Sequence, residues 1–430
     1  MKKILSIFLF STAFSVFSQQ SSQKILILGN DMARGREVVN PERNLYTSQL
    51  KDLLGEQVEI KTLCFDNELF YMHPKLSDSI AAFSPDQIVW ELGSQTEIDQ
   101  SGLKYKKVMR EVSAFQKELL KNYPQITQTF LYPTDKIEPF SEYHSLLNLV
   151  EADVKVAGGQ VLRTDSIIPS RTPFLDKKYQ PTSLGSSYIA WNLFVTITNQ
   201  PEANSAAIAR PGCEFRSSAG WKEGEDWHSL NEEINQKVSR PLDLLLIGNS
   251  LTQGFGGTRN LVVYKPGQKA ADKAFEGLEW ETAAIAGDKV QHILYRIKHG
   301  NYEQSKAKHI VLTLGVNNLP NGENTPEEVA SGIASCVKEL TDRFPDSRIY
   351  VLGPLPASND PTSDIRQSII GVHAELKQMK FEGKASYIDP TAWFIEGNGM
   401  LNTELFVRDQ MHLSPKGYEV WASKIRDLID

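Results

Sequence analysis

One short stretch, residues 242–254 with the sequence LDLLLIGNSLTQG, decides the predicted fold. A run of aliphatic residues of this length that stops at a glycine is typical of a strand buried on both faces. Gly248-Asn249-Ser250 then predicts a tight turn into a helix. Residues 24–31, KILILGND, repeat the pattern. A strand and turn that lead into a helix favour a parallel sheet.

The rest of the chain continues this alternation. Further apolar runs lie at Ile88–Leu92, Ile310–Leu314 and Ile349–Leu352, and helical periodicity lies between them, as in Lys104–Asn122 and Pro326–Arg343. Strands that alternate with helices predict an α/β protein whose sheets are parallel and carry helices on both faces.

The two halves of the chain also resemble one another. Short motifs recur in the same order at similar spacing: Gly29-Asn30-Asp31 and Gly248-Asn249-Ser250, Leu92–Gln95 and Leu314–Asn317, Tyr123-Pro124 and Phe344-Pro345, and Gln180 with Gly185 and His412 with Gly417. We interpret this as an internal duplication. It predicts tandem domains at 24–200 and 213–430, joined by a linker at 201–212 that is rich in small and polar residues.

The first residues predict export. Lys2 and Lys3 precede the apolar run Ile4–Phe17, and the small residue Ser18 follows. This order is typical of a cleaved signal peptide, here 1–18, because the run is shorter than the ~20 residues that span a bilayer. We expect the mature protein to be periplasmic or secreted and to have no integral membrane segment.

Composition excludes several classes of function. Lys plus Arg number 46 against 53 Asp plus Glu, which gives a net charge of −7 without a long basic run. That balance argues against nucleic acid as a partner. The three cysteines form no C-x-x-C motif, and no metal site or cofactor is expected.

The second half carries a set of residues suited to nucleophilic catalysis. Ser250 follows a predicted strand at the edge where parallel sheets bind ligands. Asp409 and His412 have the i, i+3 spacing that lets a carboxylate orient an imidazole. Gly287 offers an unhindered N–H, and Asn317 offers an amide donor, for an oxyanion. Taken singly, each has an ordinary reading: an N-cap for Ser250, a turn for Gly287 or Asn317, and a surface ion pair for Asp409 with His412.

Together these residues resemble the SGNH hydrolase family, also called GDSL-type esterases. Ser250 matches its first motif, Gly287 the second, Asn317 the third, and Asp409 with His412 the last. Residues 220–430 are similar to the catalytic subunits of the intracellular platelet-activating-factor acetylhydrolases. The resemblance implies two flavodoxin-like, three-layer α/β/α domains, of which the second hydrolyses short-chain, acetyl-type esters with a Ser-His-Asp triad. It implies an oxyanion hole made of Ser250, Gly287 and Asn317.

The substrate expectation combines this resemblance with the predicted export. An acetylated carbohydrate suits an exported enzyme better than a phospholipid does. The aromatic residues Trp280, Trp393 and Phe394 could line a sugar-binding edge, but core packing is the favoured role for each. The stretch Thr258–Trp280 is longer than in the acetylhydrolases and could reshape the pocket. Two alternatives stay open: a non-catalytic glycan-binding protein, and a lipase or thioesterase with a longer acyl pocket.

The first half repeats the predicted strand and turn pattern but lacks the candidate catalytic residues. Asp31, Gln95 and Gln180 stand where the second half has Ser250, Asn317 and His412. Asp31 as a nucleophile would lack an aligned base, so we expect a degenerate, non-catalytic SGNH-like domain. Because the similar acetylhydrolase subunits pair, the two halves could form an internal pseudo-dimer.

Overall fold

The computed structural model describes residues 23–64, 69–134, 137–168, 174–199, 204–212, 221–222 and 225–430. The predicted signal peptide, all of 213–220 and residues 201–203 of the predicted linker lie outside these ranges. Across the ranges that are described, no helix combines the length and the apolar character needed to cross a bilayer.

Contacts divide the chain into two compact units. The first comprises the described residues of Met1–Arg36 and Leu50–Asp165, and the second comprises Glu37–Gln49 and Ser166–Asp430. Grouping by contact thus assigns the segment after Asp165 to the second unit, whereas the boundary near residue 200 was placed on sequence duplication and stays a prediction.

The first unit contains a five-stranded sheet whose strands are all parallel. Its order is β2-β1-β3-β4-β5, with β1 Gln23–Gly29, β2 Val58–Cys64, β3 Gln87–Glu91, β4 Thr127–Leu131 and β5 Gln160–Leu162. The central strands are buried because their aliphatic side chains are covered on both faces. A cluster of aromatic rings around Trp90 forms much of the core beside this sheet.

Helices lie between these strands and after the last of them, and two of these helices, α2 and α9, belong by their contacts to the second unit. The helices are α1 Asp31–Arg34, α2 Pro41–Asn44, α3 Tyr46–Leu54, α4 Leu76–Phe83, α5 Gln95–Gln100, α6 Tyr105–Asn122, α7 Glu142–Val156, α8 Thr164–Ile167 and α9 Ser183–Thr198. The predicted helix at Lys104–Asn122 corresponds to α6.

The second unit contains another five-stranded parallel sheet. Its order is β10-β9-β8-β6-β7, with β6 Leu244–Gly248, β7 Trp280–Ala284, β8 His309–Thr313, β9 Arg348–Val351 and β10 Ala385–Tyr387. Read from β7, this is the strand order of the first sheet. The predicted α/β class, with parallel sheets in two tandem domains, is therefore confirmed.

The helices of the second unit include several that begin at clear capping signals. They are α10 Trp227–Lys237, α11 Ser250–Gln253, α12 Gln268–Ala274, α13 Val290–His299, α14 Pro326–Arg343, α15 Asp364–Gln378 and α16 Pro415–Ile429. The predicted helix Pro326–Arg343 has these bounds because Thr325 and Glu328 form a capping box and Pro326 occupies the first turn.

Candidate active site

The carboxyl ends of three neighbouring strands supply the first part of the site. Strand β6 lies between β7 and β8, and the register pairs Gly248 with both Ala284 and Thr313. The three strands therefore end at the same level of the sheet. Ser250, at the start of α11, follows β6, and Gly287 and Asn317 follow the other two strands within four residues.

Asp409 and His412 come from the loop before α16 and complete a hydrogen-bonded series with Ser250. The Ser250 Oγ lies 2.9 Å from His412 Nε2, and His412 Nδ1 lies 2.7 Å from Asp409 Oδ2. The other Asp409 oxygen accepts the backbone N–H groups of Met411 and His412 at 3.0 and 2.9 Å. The structure thus brings together the serine, the imidazole and the carboxylate that the sequence predicts as a triad.

The environment of Asp409 favours its charged form. Burial by itself raises the pKa of the Asp409 carboxyl, but hydrogen bonds from the backbone and ring of His412 and from the Met411 N–H outweigh it and hold the pKa below its ordinary value. An ionised carboxylate accepts a hydrogen bond from the Nδ1–H of the ring. The lone pair of Nε2 then faces the Ser250 hydroxyl. The ring is therefore oriented to remove the hydroxyl proton.

The contact between Asp409 and His412 orients the imidazole ring and adds little to the stability of the fold. The side chains of His412 and Asp409 are 41% and 51% exposed, so water screens their attraction. What the contact does is fix the ring in one orientation.

Gly287 and Asn317 stand in turns that need special backbone conformations. Gly287 has φ 87°, and Gly315, which precedes the short turn carrying Asn317, has φ 112°. Such values suit glycine because an L side chain would clash with the backbone. The Asn317 Nδ2 donates to the backbone oxygen of Asp288 at 2.8 Å. A primary amide has a second hydrogen, which is suited to an oxyanion.

A buried ion pair holds this region together, and sequence reasoning assigned it no role. Asp288 and Arg296 are fully buried, and Arg296 Nη2 and Nε donate to Asp288 Oδ2 at 2.7 and 2.9 Å. The indole N–H of Trp227 donates to Asp288 Oδ1 at 2.6 Å. Arg296 also donates to the Gly248 carbonyl at 3.2 Å, so it connects the turn of Gly287 with the end of β6.

The signal for this pair is present in the sequence but is weak. Asp288 directly follows Gly287, and Arg296 lies eight residues later, about two helical turns away on the predicted helix. A motif match can note both residues, but only the fold reveals that they are buried against each other.

A cavity of ≈ 840 Å³ opens beside these groups. Ser250, Gly287, Asn317 and His412 line it together. Its other lining residues include the tyrosines Tyr264 and Tyr418. We call its apolar residues Val407, Met411 and Leu413 the apolar wall, and its polar residues Lys289, Asn321 and Glu323 the polar rim. Among the residues described, no group of three or more His, Cys, Asp and Glu side chains could hold a metal ion.

The three aromatic residues considered for a sugar-binding edge pack in the core, the role that the sequence favoured for each of them. Phe394 is fully buried in the apolar cluster beside the second sheet, and Trp280 and Trp393 pack against that cluster. Two tyrosines line the cavity, the buried Tyr418 and the exposed Tyr264, and sequence reasoning assigned neither of them a place there.

The counterpart positions of the first half lie in separate elements. Asp31 begins α1 and Gln95 begins α5, and both belong to the first unit. Gln180 belongs to the second unit, where its backbone N–H donates to Asp176 Oδ1 at 2.6 Å.

Known proteins resemble the second unit. The profile of the GDSL-like lipase/acylhydrolase family matches residues 246–420. The platelet-activating factor acetylhydrolase IB subunit alpha1 of Bos taurus is 33% identical over 207 residues, which are 47% of this chain and 82% of that protein. The chain belongs to the GDSL-like lipase/acylhydrolase family. This member is accordingly a carboxylic ester hydrolase.

Other relatives of this family member cover similar lengths. The platelet-activating factor acetylhydrolase IB subunit alpha2 of Homo sapiens is 28% identical over 233 residues, 54% of this chain and 93% of that protein. Among solved structures, an acetylxylan esterase from Geobacillus stearothermophilus is 18% identical, with a TM-score of 0.37 over 44% of this chain and 94% of that one. The resemblance to GDSL-type esterases that the sequence indicates is confirmed.

Proposed function

We propose that this esterase is exported and removes acetyl groups from carbohydrate with Ser250 as its nucleophile. The observation that carries the proposal is the hydrogen-bonded series from Ser250 through His412 to Asp409, beside a cavity that the serine lines. A hydroxyl, an oriented base and a carboxylate in this order are the parts that an acyl-enzyme mechanism needs.

The reaction has two steps that reuse the same groups. His412 takes the proton of Ser250 as its oxygen attacks the acyl carbonyl carbon, and the protonated ring then gives that proton to the departing alcohol oxygen. Water attacks the acyl-enzyme with His412 again as base, which releases the acid and restores the serine. The amides of Ser250 and Gly287 and the side chain of Asn317 stabilise the oxyanion in each step.

The substrate proposal has separate supports. An acetyl group is favoured because the relatives at about 30% identity are acetylhydrolases by name. Export is favoured by Lys2 and Lys3 before the apolar run Ile4–Phe17, residues that lie outside the described ranges. An exported enzyme meets acetylated polysaccharide, and the polar rim of the cavity suits a hydroxylated alcohol.

We infer that residues 24–200, which contain the first sheet, form a degenerate, non-catalytic copy of the domain at 213–430. Supporting observations are the common strand order and the glycines Gly93 and Gly315, which follow equivalent strands with φ 97° and 112°. The pseudo-dimer of the two halves stays a prediction from the family resemblance.

A second candidate is a lipase or thioesterase with a longer acyl pocket. The apolar wall made of Val407, Met411 and Leu413 favours it, because such a wall could receive an acyl chain. The acetyl proposal and this one differ in the chain length of the best substrate.

Hydrolysis of p-nitrophenyl esters tests the proposal. We expect kcat/KM to be highest for the acetate and to decrease through the butyrate to the octanoate, and we expect Ser250→Ala to lower it by on the order of 10⁴-fold or more. A preference for the octanoate would favour the lipase. Equal activity of the wild type and Ser250→Ala would exclude Ser250 as the nucleophile.

A further inference from the structure

A segment that we call the strap, residues 257–266, runs from the end of α11 to the start of α12 along the cavity. All but its first residue belongs to Thr258–Trp280, the stretch that the sequence predicts to be longer than in the acetylhydrolases. One end is held by the buried carboxylate of Glu233. The Arg259 Nε donates to Glu233 Oε2 at 3.2 Å, and the Leu261 N–H donates to Glu233 Oε1 at 3.0 Å. Arg259 itself is 1% exposed, so the strap is anchored in the interior.

Further contacts hold the strap at both ends. The fully buried Glu281 accepts the backbone N–H of Thr258 at 3.1 Å and also its hydroxyl. At the other end the Gly267 N–H donates to the Gly254 carbonyl at 2.9 Å, and Lys265 Nζ donates to the Arg259 carbonyl. The backbone between these anchors is consequently fixed relative to Ser250, which lies four residues before Gly254.

The middle of the strap presents two large side chains to solvent. Val263 is 59% exposed and Tyr264 is 61% exposed. Tyr264 lines the cavity together with Ser250, and Val263 is not among the residues that line it. A tyrosine exposed to this extent gains little from burial, so folding alone does not explain an aromatic ring at this place.

The surroundings of Tyr264 define the ligand chemistry that it suits. The same cavity is lined by Asn321 and by the ion pair of Lys289 with Glu323, whose atoms lie 2.6 Å apart. A sugar ring has an apolar C–H face and a rim of hydroxyl groups, so it pairs with an aromatic ring on one side and polar groups on the other. A tyrosine supplies a large flat surface with only two side-chain torsions to immobilise.

A long acyl chain would be served differently. It would need a continuous apolar lining, whereas the cavity that Val407, Met411 and Leu413 line is also lined by the charged Lys289 and Glu323. The strap and the polar rim together therefore favour the alcohol side of the ester, not the acyl side.

We propose that Tyr264 determines specificity by stacking on the sugar ring that carries the acetyl ester. This inference rests on the proposed function, in which Ser250 hydrolyses acetylated carbohydrate. Tyr264 makes no contact with the reacting atoms in this proposal; it positions the sugar so that the ester lies at Ser250. The strap supplies the rigid backbone that this positioning requires.

The test compares two acetate esters in four forms of the full chain. The substrates are glucose pentaacetate, which carries a sugar ring, and ethyl acetate, which carries none, and released acetate is measured for both. The proteins are the wild type, Tyr264→Ala, Tyr264→Phe and the matched control Val263→Ala. We expect the ratio of kcat/KM for the sugar ester to that for ethyl acetate to fall by about tenfold in Tyr264→Ala, mainly through KM.

The other two variants separate the ring from its hydroxyl and from general changes in the strap. Tyr264→Phe keeps the ring, so its ratio should stay within about threefold of the wild type, the size of one lost neutral hydrogen bond. Val263→Ala changes the neighbouring exposed side chain and should leave the ratio unchanged.

Several results would overturn the inference. An unchanged ratio in Tyr264→Ala, or an equal fall in Val263→Ala, would remove the role of the ring in sugar binding. A selective loss on p-nitrophenyl octanoate would assign Tyr264 to the acyl chain. If the wild type fails to hydrolyse ethyl acetate in a Ser250-dependent manner, the proposed function fails first and the inference fails with it.

Discussion

The two sheets have the same strand order, yet the first turn beyond each central strand is built differently. In the second unit, the turn after β6 carries Ser250 and borders a cavity. In the first unit, the turn after β1 is closed by a side chain of its own sheet. Glu91 Oε1, at the end of β3, accepts the backbone N–H groups of Asn30 at 2.6 Å and Ala33 at 3.1 Å.

The residue that makes this difference occupies equivalent places in the two sheets. Glu91 lies one residue beyond the register pair of Leu28 with Trp90, and Thr313 pairs with Gly248 at the corresponding position. Thr313 has no hydrogen-bond partner for its buried hydroxyl among the described residues. In the first unit, by contrast, the Glu91 carboxylate accepts the N–H groups of Asn30 and Ala33 at the start of α1.

The comparison teaches that the same sheet architecture can occur with or without side chains suited to catalysis. A parallel sheet places turns and helix starts at one edge whatever residues they carry. Whether that edge can act on a ligand depends on a few side chains, which either leave the N–H groups of the turn accessible or bind them.

The largest expected effect comes from replacing Ser250, in the turn after β6, with the aspartate that stands at the matching position after β1. Ser250→Asp replaces the hydroxyl with the carboxylate that Asp31 has, and His412 then has no hydroxyl proton to remove. We expect kcat/KM for p-nitrophenyl acetate to fall by on the order of 10⁴–10⁶-fold. The initial rate of p-nitrophenol release measures this.

The matched control is Asp31→Asn, which alters the corresponding residue of the first unit. We expect wild-type rates. A large loss in Asp31→Asn would mean that the first unit takes part in the reaction, and the contrast between the two sheets would no longer hold.

A smaller effect on activity is expected from a substitution after β8, the strand that corresponds to β3 of the first sheet. Asn317→Gln introduces the residue that the first half has at Gln95, and the longer side chain displaces the amide from its place beside Asp288. Losing one oxyanion donor lowers kcat by about 10²–10³-fold, and we expect KM to change little. Steady-state kinetics on p-nitrophenyl acetate separate the two constants.

The converse substitution, Gln95→Asn, should leave both constants at their wild-type values. If Asn317→Gln raised KM and left kcat unaltered, Asn317 would bind the ground state of the ester and not the developing oxyanion.

Much of the fold and of the site could be predicted because the signals are local. Aliphatic runs that end in glycine mark β1 and β6, and the Asp409-x-x-His412 spacing is short enough for the carboxylate to reach the ring within one turn. Ser250 could be placed with them because parallel strands end at a common edge.

What could not be predicted depends on contacts between distant residues. The place of Tyr264 follows from the contact of Arg259 with Glu233, 26 positions apart, and the burial of Asp288 depends on Trp227, 61 positions away. For the aromatic residues Trp280, Trp393 and Phe394 the sequence favoured the core over a sugar-binding edge, but only the packing shows which cluster they join.

The smallest expected effect concerns stability, at the position where the two sheets differ. Glu91→Thr gives the first sheet the residue of the second and leaves the N–H groups of Asn30 and Ala33 without their acceptor. Each buried, unsatisfied group costs about 1–3 kcal/mol, so we expect the free energy of unfolding to fall by roughly 2–5 kcal/mol in urea titrations followed by circular dichroism.

Two controls identify the acceptor as the cause of this loss. Glu91→Gln keeps an amide oxygen that can accept the same N–H groups, so it should lose less than Glu91→Thr. Thr313→Val removes a hydroxyl that has no partner in the described part of the chain, and it should cost less than about 1 kcal/mol. If Thr313→Val destabilised the protein as much as Glu91→Thr, the hydroxyl of Thr313 would be satisfying a group at the end of β6. The two turns would then be closed alike, and the accessibility of the second would need another origin.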